Sequence, residues 1–284
     1  MKKFVAIFGI VVSTSCTDTT TQCMCPCPCT VVTKDATPLI KADIAQTQSQ
    51  IQTGTLAWSS SFENGYPGEF LSGYANNFVA NGVPSATVKQ AWATVSKTQW
   101  PNVFSGNFSY KGWVIAASTG YHRAYPVLHT DISTPLVNSW VVYLDIDQTK
   151  MASSDWIHFG TWGNNVDWNV HTMSVSKKLL HMANLDSSSY VGPQPQAAFP
   201  ERKWVRLTVY LYYRPNGPGT VLVWQDGVKV LKGYVSRAGQ NLQRAHWGMY
   251  TNGSLAFGAQ YNDDIKIWKL AAPLTDLVKE PVIQ

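Results

Sequence analysis

Strict alternation over residues 204–213 constrains this chain more than any other feature. One parity is Val205, Leu207, Val209 and Leu211; the other is Trp204, Arg206, Thr208, Tyr210 and Tyr212. Successive side chains of a strand point to opposite faces, so one face here is aliphatic and the other polar and aromatic. Such a strand has to bury its aliphatic face against a second layer. Arg214-Pro215-Asn216-Gly217-Pro218-Gly219 then interrupts pairing through its prolines and glycines. A second strand is expected over 220–225, and Asp226-Gly227 is a two-residue hairpin signal leading into 228–231. The stretch 203–231 therefore predicts antiparallel strands to which the rest of the chain pairs.

Further strands are expected at 112–117, 124–128, 140–146, 156–161, 170–175, 178–183, 245–250 and 264–270, most of them separated by Gly, Pro, Asn or Asp. No stretch carries a sustained helical stripe. Many short strands with regular turn signals imply an all-β antiparallel sandwich or barrel. At 284 residues, with no second linker, one domain over 56–272 is expected, followed by a C-terminal tail at 273–284.

The first residues read as a processing signal. Met1-Lys2-Lys3 is positive, the next nine residues to Val12 are apolar, and Ser13-Thr14-Ser15 are small. That apolar run is far below the roughly 20 residues a spanning helix needs. An exported chain is expected, with a signal peptide over 1–15. Cys16 resembles the lipidated cysteine of bacterial lipoproteins, so an outer-membrane or cell-surface lipoprotein and a secreted protein are both open. Any membrane association would then run only through that lipid anchor. Cys16, Cys23, Cys25, Cys27 and Cys29 all precede residue 30, so no disulfide can staple the predicted domain. Their spacing departs from the usual zinc pattern and reads as part of a flexible tether over 16–55, rich in Cys, Thr and Gln.

Charge excludes some functions. Losing Lys2 and Lys3 with a leader would lower the formal net charge from +5 to +3, too little to argue nucleic acid. No phosphate-cradling glycine loop or zinc-protease helix motif is present. Charged residues make up 14% against about 25% in ordinary domains. The surface is correspondingly neutral and aromatic, with 12 Trp and 13 Tyr, and flat amphipathic rings suit the apolar faces of sugars.

Three segments carry a resemblance. Residues 204–209, then Val223-Trp224-Gln225-Asp226-Gly227-Val228, then Tyr261-Asn262-Asp263-Asp264-Ile265-Lys266-Ile267 resemble the closing half of concanavalin A-like jelly rolls. Laminin-G-like modules and jelly-roll polysaccharide lyases share the strand that begins with Trp, the Asp-Gly hairpin and the last Asp-Asp-Ile strand. Ser61 to Gly65 is similar to their opening strand. The resemblance covers 203–268 well and 56–270 loosely, and it implies a concanavalin A-like jelly roll with a glycan site on its concave sheet.

On that expectation, outward alternation gathers a groove. It would hold Arg206, Tyr210 and Tyr212, with Tyr143, Trp156 and His158, and with His246 and Tyr250; His122 and Arg123 would line it too. Two functions fit. The first is a lyase that cleaves an acidic, uronate-containing polysaccharide by β-elimination. Arg206 or Arg123 would pair the carboxylate, His158 would neutralise it or take the proton, and Tyr210 would act as acid or base. The Gln-Ile-His triplet of such lyases becomes Trp156-Ile157-His158 here. The second is a non-catalytic carbohydrate-binding or adhesion module. Retaining hydrolysis is discounted, because Glu63, Glu69, Glu201 and Glu280 are the only glutamates and none is paired along a strand. No cofactor is expected beyond structural Ca²⁺ at Asp263 and Asp264, for which loop capping is the alternative. A monomer is expected.

Overall fold

The computed structural model describes residues 50–64, 70, 72–73, 89–163, 171–176, 179–184, 190–191, 198–214, 216–235 and 241–284. The expected leader, Cys16, the cysteine run over 23–29 and most of the expected tether lie outside these residues. In chain order the strands are β1 (Gln50–Gln52), β2 (Gly54–Ser60), β3 (Ser72–Gly73), β4 (Gln90–Ser96), β5 (Phe108–Val114), β6 (Tyr121–Ala124), β7 (Pro126–Ile132), β8 (Leu136–Asp145) and β9 (Trp156–Gly163). Then come β10 (His171–Ser176), β11 (Leu179–Asn184), β12 (Tyr190–Val191), β13 (Trp204–Tyr212), β14 (Gly219–Gln225), β15 (Val228–Val235), β16 (Leu242–Asn252), β17 (Gly258–Leu270) and β18 (Pro281–Ile283). Among the described residues the strands begin at Gln50.

Two eight-stranded antiparallel sheets face each other. The back sheet runs β15-β14-β13-β8-β17-β5-β4, with β2 also on β17. The front sheet runs β12-β11-β10-β9-β16-β7-β3, with β6 also on β16. The predicted hairpins form: Val209 lies opposite Val223, and β14 turns into β15 through Asp226 (φ +49°) and Gly227 (φ +84°). Both turn residues sit in the left-handed region that a tight hairpin of right-twisted strands requires.

The aliphatic parity of β13 is the one that packs inward. Val205, Leu207, Val209 and Leu211 are fully buried in one cluster with Ile157, Phe159, Met173 and Val175 of the front sheet. Of the other parity, Thr208 and Tyr210 lie against the C-terminal segment. Leu274 N–H donates to Tyr210 Oη (3.3 Å), Trp224 Nε1–H to Val278 O (2.9 Å), Lys229 Nζ to Leu277 O (3.0 Å), and the Thr208 hydroxyl to Glu280. The expected tail is therefore a packed strap, closed by β18 running parallel to β1.

Inside the core one polar side chain interrupts the apolar run of β8. Leu136, Asn138, Trp140, Val142 and Leu144 all point inward and are fully buried. Asn138 Oδ1 accepts from both Trp162 Nε1 of β9 and Trp247 Nε1 of β16, each at 3.1 Å, while Asn138 Nδ2 donates to Lys266 O (2.9 Å). A buried amide with its capacity used in this way ties the two sheets together and fixes their relative position. Asn138→Ala leaves two buried indole donors unpaired, for which a loss of about 3 kcal/mol is expected. Urea unfolding measures it; a midpoint like that of the parent would show the node to be dispensable.

Candidate active site

The outward face of the front sheet gathers His158 and His246 with Tyr121, Tyr125 and Tyr250. On β9, Ile157, Phe159 and Trp162 are buried in the core while Trp156, His158 and Thr161 point the other way. On β16, Ala245, Trp247 and Met249 are core, leaving His246 and Tyr250 outward. Register places His246 opposite Thr161 and Tyr250 opposite His158. Between those two pairs the ladder slips at a bulge containing Gly248 (φ +134°). A Cβ there would lie 2.8 Å from Ala124 O, so only glycine permits the slip that brings Tyr250 level with His158.

Tyr250 is the centre of this patch. Its ring stands edge-on to Trp156 (5.1 Å), His158 (4.9 Å), His246 (6.1 Å), Tyr125 (5.8 Å) and Tyr121 (5.8 Å). Trp156 stacks on His158 at 4.1 Å and Tyr125 on His246 at 3.8 Å. The Arg123 guanidinium lies over the rings of Tyr121 (5.6 Å) and Tyr250 (5.8 Å). No carboxylate among the described residues is within ion-pair reach of it.

Two histidines are held neutral here. Burial pulls His158 well below its ordinary value, with His246 a lesser cause. Burial likewise pulls His246 down to about 3, helped by the Arg123 charge. His158 Nδ1, both ring nitrogens of His246 and Thr161 Oγ1 are buried without a hydrogen-bond partner among the described residues. Native proteins leave few such atoms, and four of them lie together here. A neutral imidazole, a phenol and an unpaired guanidinium can accept a proton, donate one and hold an anion.

The structure divides the expected groove between two opposite faces. Arg123, Trp156, His158, His246 and Tyr250 come together as described. Arg206, Tyr210, Tyr212 and Tyr143 stand on the outward face of the back sheet, so Arg206 and Tyr210 do not meet His158. Tyr210 is 1% exposed under the strap, and burial raises its hydroxyl to about 12. His122 is fully buried, with Nε2 2.9 Å from Leu255 O and Nδ1 3.3 Å from Gln90 Oε1. It props a loop, as an inward residue on β6 does, and does not line the patch. Asp263 accepts from Ser105 N–H, Ser109 Oγ–H and Asp264 N–H, and Asp264 pairs with Lys266. These carboxylates are committed to local bonds, and among the described residues no group of three or more His, Cys, Asp or Glu converges on a metal position. Thr161 is a residue of the patch that sequence reasoning does not single out, and Tyr121 and Tyr125 enter it only as part of the polar stretch 121–126 around His122 and Arg123. Alternation along β6 from Arg123 is the signal that could have found both tyrosines.

No protein-family model matches this sequence, and a search of curated proteins finds no match. Among solved structures, an endo-β-1,4-glucuronan lyase from the fungus Trichoderma reesei aligns with a TM-score of 0.50 at 12% identity, covering 80% of this chain and 100% of that one. A carbohydrate esterase from a Shiga toxin-encoding bacteriophage aligns at 0.46 and 11% identity, over 77% of this chain and 100% of that one. An alginate lyase from Aplysia kurodai aligns at 0.44 and 11% identity, over 75% and 98%. The fold is the jelly-roll sandwich that the closing strands resembled.

The neutral histidines give stability a pH dependence. Between 6.5 and about 3 the unfolded chain binds a proton at His246 that the folded chain refuses, so stability is complete above 6.5 and falls with acid. Asp263 acts the other way: burial pushes its carboxyl up to about 6, so between about 6 and 3.8 its contribution rises with acid. His246→Gln should therefore remove a slope of about 1.4 kcal/mol per pH unit over the lower part of that window. Urea midpoints measured from neutral to acid pH read it directly, and an unchanged slope would place His246 in contact with solvent.

Proposed function

We propose that this chain is an exported enzyme that cleaves an acidic, uronate-containing polysaccharide by β-elimination. The observation that carries the reading is the neutral His158 beside the Tyr250 phenol, under an Arg123 guanidinium that no carboxylate among the described residues neutralises. Arg123 pairs the substrate carboxylate and withdraws charge, which acidifies the adjacent C5 proton. The His158 imidazole, neutral near pH 7, accepts that proton. The C5–H electron pair forms the C4=C5 double bond as the C4–O bond breaks. Tyr250 gives its proton to the departing glycosidic oxygen, and the proton on His158 returns to the phenolate after release. No water is consumed. Trp156 and Tyr121 flank the patch as flat surfaces for sugar rings.

Relative to the expectation from sequence, His158 keeps its role, Arg123 takes the carboxylate and Tyr250 replaces Tyr210. Support also comes from the fold comparison at TM-score 0.50, whose solved protein is a glucuronan lyase. The signal-like opening of the chain supports export.

Incubation with glucuronan, alginate, pectate and glycosaminoglycans, followed in the ultraviolet where the unsaturated uronate absorbs, tests the reading. One of these substrates should give a rising trace. Tyr250→Phe and His158→Ala should each lower kcat about a hundredfold or more. Arg123→Ala should raise KM as well as lower kcat, whereas Tyr210→Phe should leave the rate unchanged. A flat trace on every acidic glycan, with retention of the protein in gels containing one of them, would replace the lyase by the binding module.

A further inference from the structure

The back sheet carries exposed chemistry of its own, on the side of the sandwich opposite Tyr250. Register sets Trp204 opposite Tyr143, Tyr143 opposite Tyr261, and Tyr261 opposite Lys111, in one row across four strands. Neighbouring strands lie about 4.8 Å apart, so the row spans roughly 15 Å. Trp100 lies flat on Tyr261 at 3.7 Å and Phe104 stands edge-on to Trp204 at 5.5 Å, which extends the aromatic surface outward. Two clefts meet at Arg202. One, of about 490 Å³, is lined by Lys111, Trp113 and Asp145; the other, of about 350 Å³, by Phe104, Tyr143 and Trp204.

Charge on this surface is unbalanced. Lys111, Lys150, Arg202 and Lys203 line the two clefts against only Asp145 and Asp147. Each carboxylate already has its cation, since Arg202 Nε is 3.1 Å from Asp145 and Lys150 Nζ 3.5 Å from Asp147. Among the described residues, neither Lys111 nor Lys203 has a carboxylate within ion-pair reach. The Lys111 ammonium rests 4.7 Å from the Trp113 ring centre and 5.4 Å from that of Tyr261. Burial lowers its pKa, with Asp145 opposing the shift.

We propose that this face is a second binding site, for a strand of acidic polysaccharide. Ring faces along Trp113, Tyr143 and Trp204 meet the apolar faces of the sugars, while Lys111 and Lys203 pair their carboxylates. The ligand class follows from the two features together. Flat aromatics alone fit a neutral glycan, and unpaired cations among them select an anionic one. A chain held here stays attached to the protein while the opposite face works on another segment. The proposal shares only its ligand class with the elimination reading, and its test does not depend on turnover.

The test is affinity electrophoresis of the full-length chain through gels containing glucuronan or, for comparison, a neutral hydroxyethyl cellulose. Arg123→Ala with Tyr250→Phe disables the front patch, and that variant should still be retarded by glucuronan. Adding Lys111→Gln and Lys203→Gln should weaken this remaining retardation at least about tenfold, with the urea midpoint unchanged. The neutral glycan should retard neither variant comparably. Loss of all retardation on disabling the front patch would overturn the second site, as would retention that ignores Lys111 and Lys203 or that is equal in the neutral gel. Should no substrate show elimination while retention still depends on the two lysines, the site stands without the lyase.

Discussion

One carbonyl oxygen, Asn138 Oδ1, holds the two sheets in register by accepting two indole N–H groups across the core. Hydrophobic contact between sheets is non-directional and tolerates sliding. A doubly accepted hydrogen bond between buried groups does not, because displacement strands donors that have no water to turn to. Trp162 and Trp247 are the residues so fixed, and they sit on β9 and β16, the strands that carry Thr161, His158, His246 and Tyr250. Thr161 and His246 are thus each one residue along the strand from the node, with His158 and Tyr250 further along the same strands. Trp247 also stacks on Trp58 of β2 at 5.4 Å, and Trp162 stands edge-on to Trp140 at 5.7 Å, so the node is packed on both flanks.

Against that fixed frame, the bulge at Gly248 explains why the patch is where it is. In a regular ladder, alternation keeps a strand's outward residues evenly spaced. The slip changes which residues lie side by side and sets the Tyr250 ring against His158. Bulges re-aim side chains at the cost of local pairing, and here the residue at the slip is the one whose backbone no side chain could share. The stacked pairs Trp156 on His158 and Tyr125 on His246 then remove water from the imidazoles, and burial keeps both neutral.

The two outward faces use aromatic residues differently. Part of the back sheet, around Tyr210 and Trp224, is closed by the C-terminal strap, whose backbone groups bond to the polar atoms of those rings. The neighbouring part, around Trp204 and Tyr143, stays open and mixes rings with cations. On the front sheet the rings surround titratable groups. The same residue types therefore serve packing, a proposed docking surface and a proposed reaction centre, according to what lies over them.

Sequence determined the fold class and the inward set of the strand over 204–213. Period two in 204–213 assigned Val205, Leu207, Val209 and Leu211 to the core, and Asp226-Gly227 assigned the hairpin, because pleating and turn dihedrals are local properties of the backbone. It also picked His158, His246, Tyr250, Arg123 and Trp156, as outward residues able to hold or move charge. It did not decide which outward residues share a sheet. Alternation reports only the two sides of one strand, and both sheets of a sandwich have an outward side, so Arg206 and Tyr210 read the same as Arg123 and Tyr250. Only strand order, with β13 beside β8 in one sheet and β16 beside β9 in the other, separated the two sets. Likewise only the path of residues 271–284 covered Tyr210, since nothing local to a strand records which distant segment will lie over it.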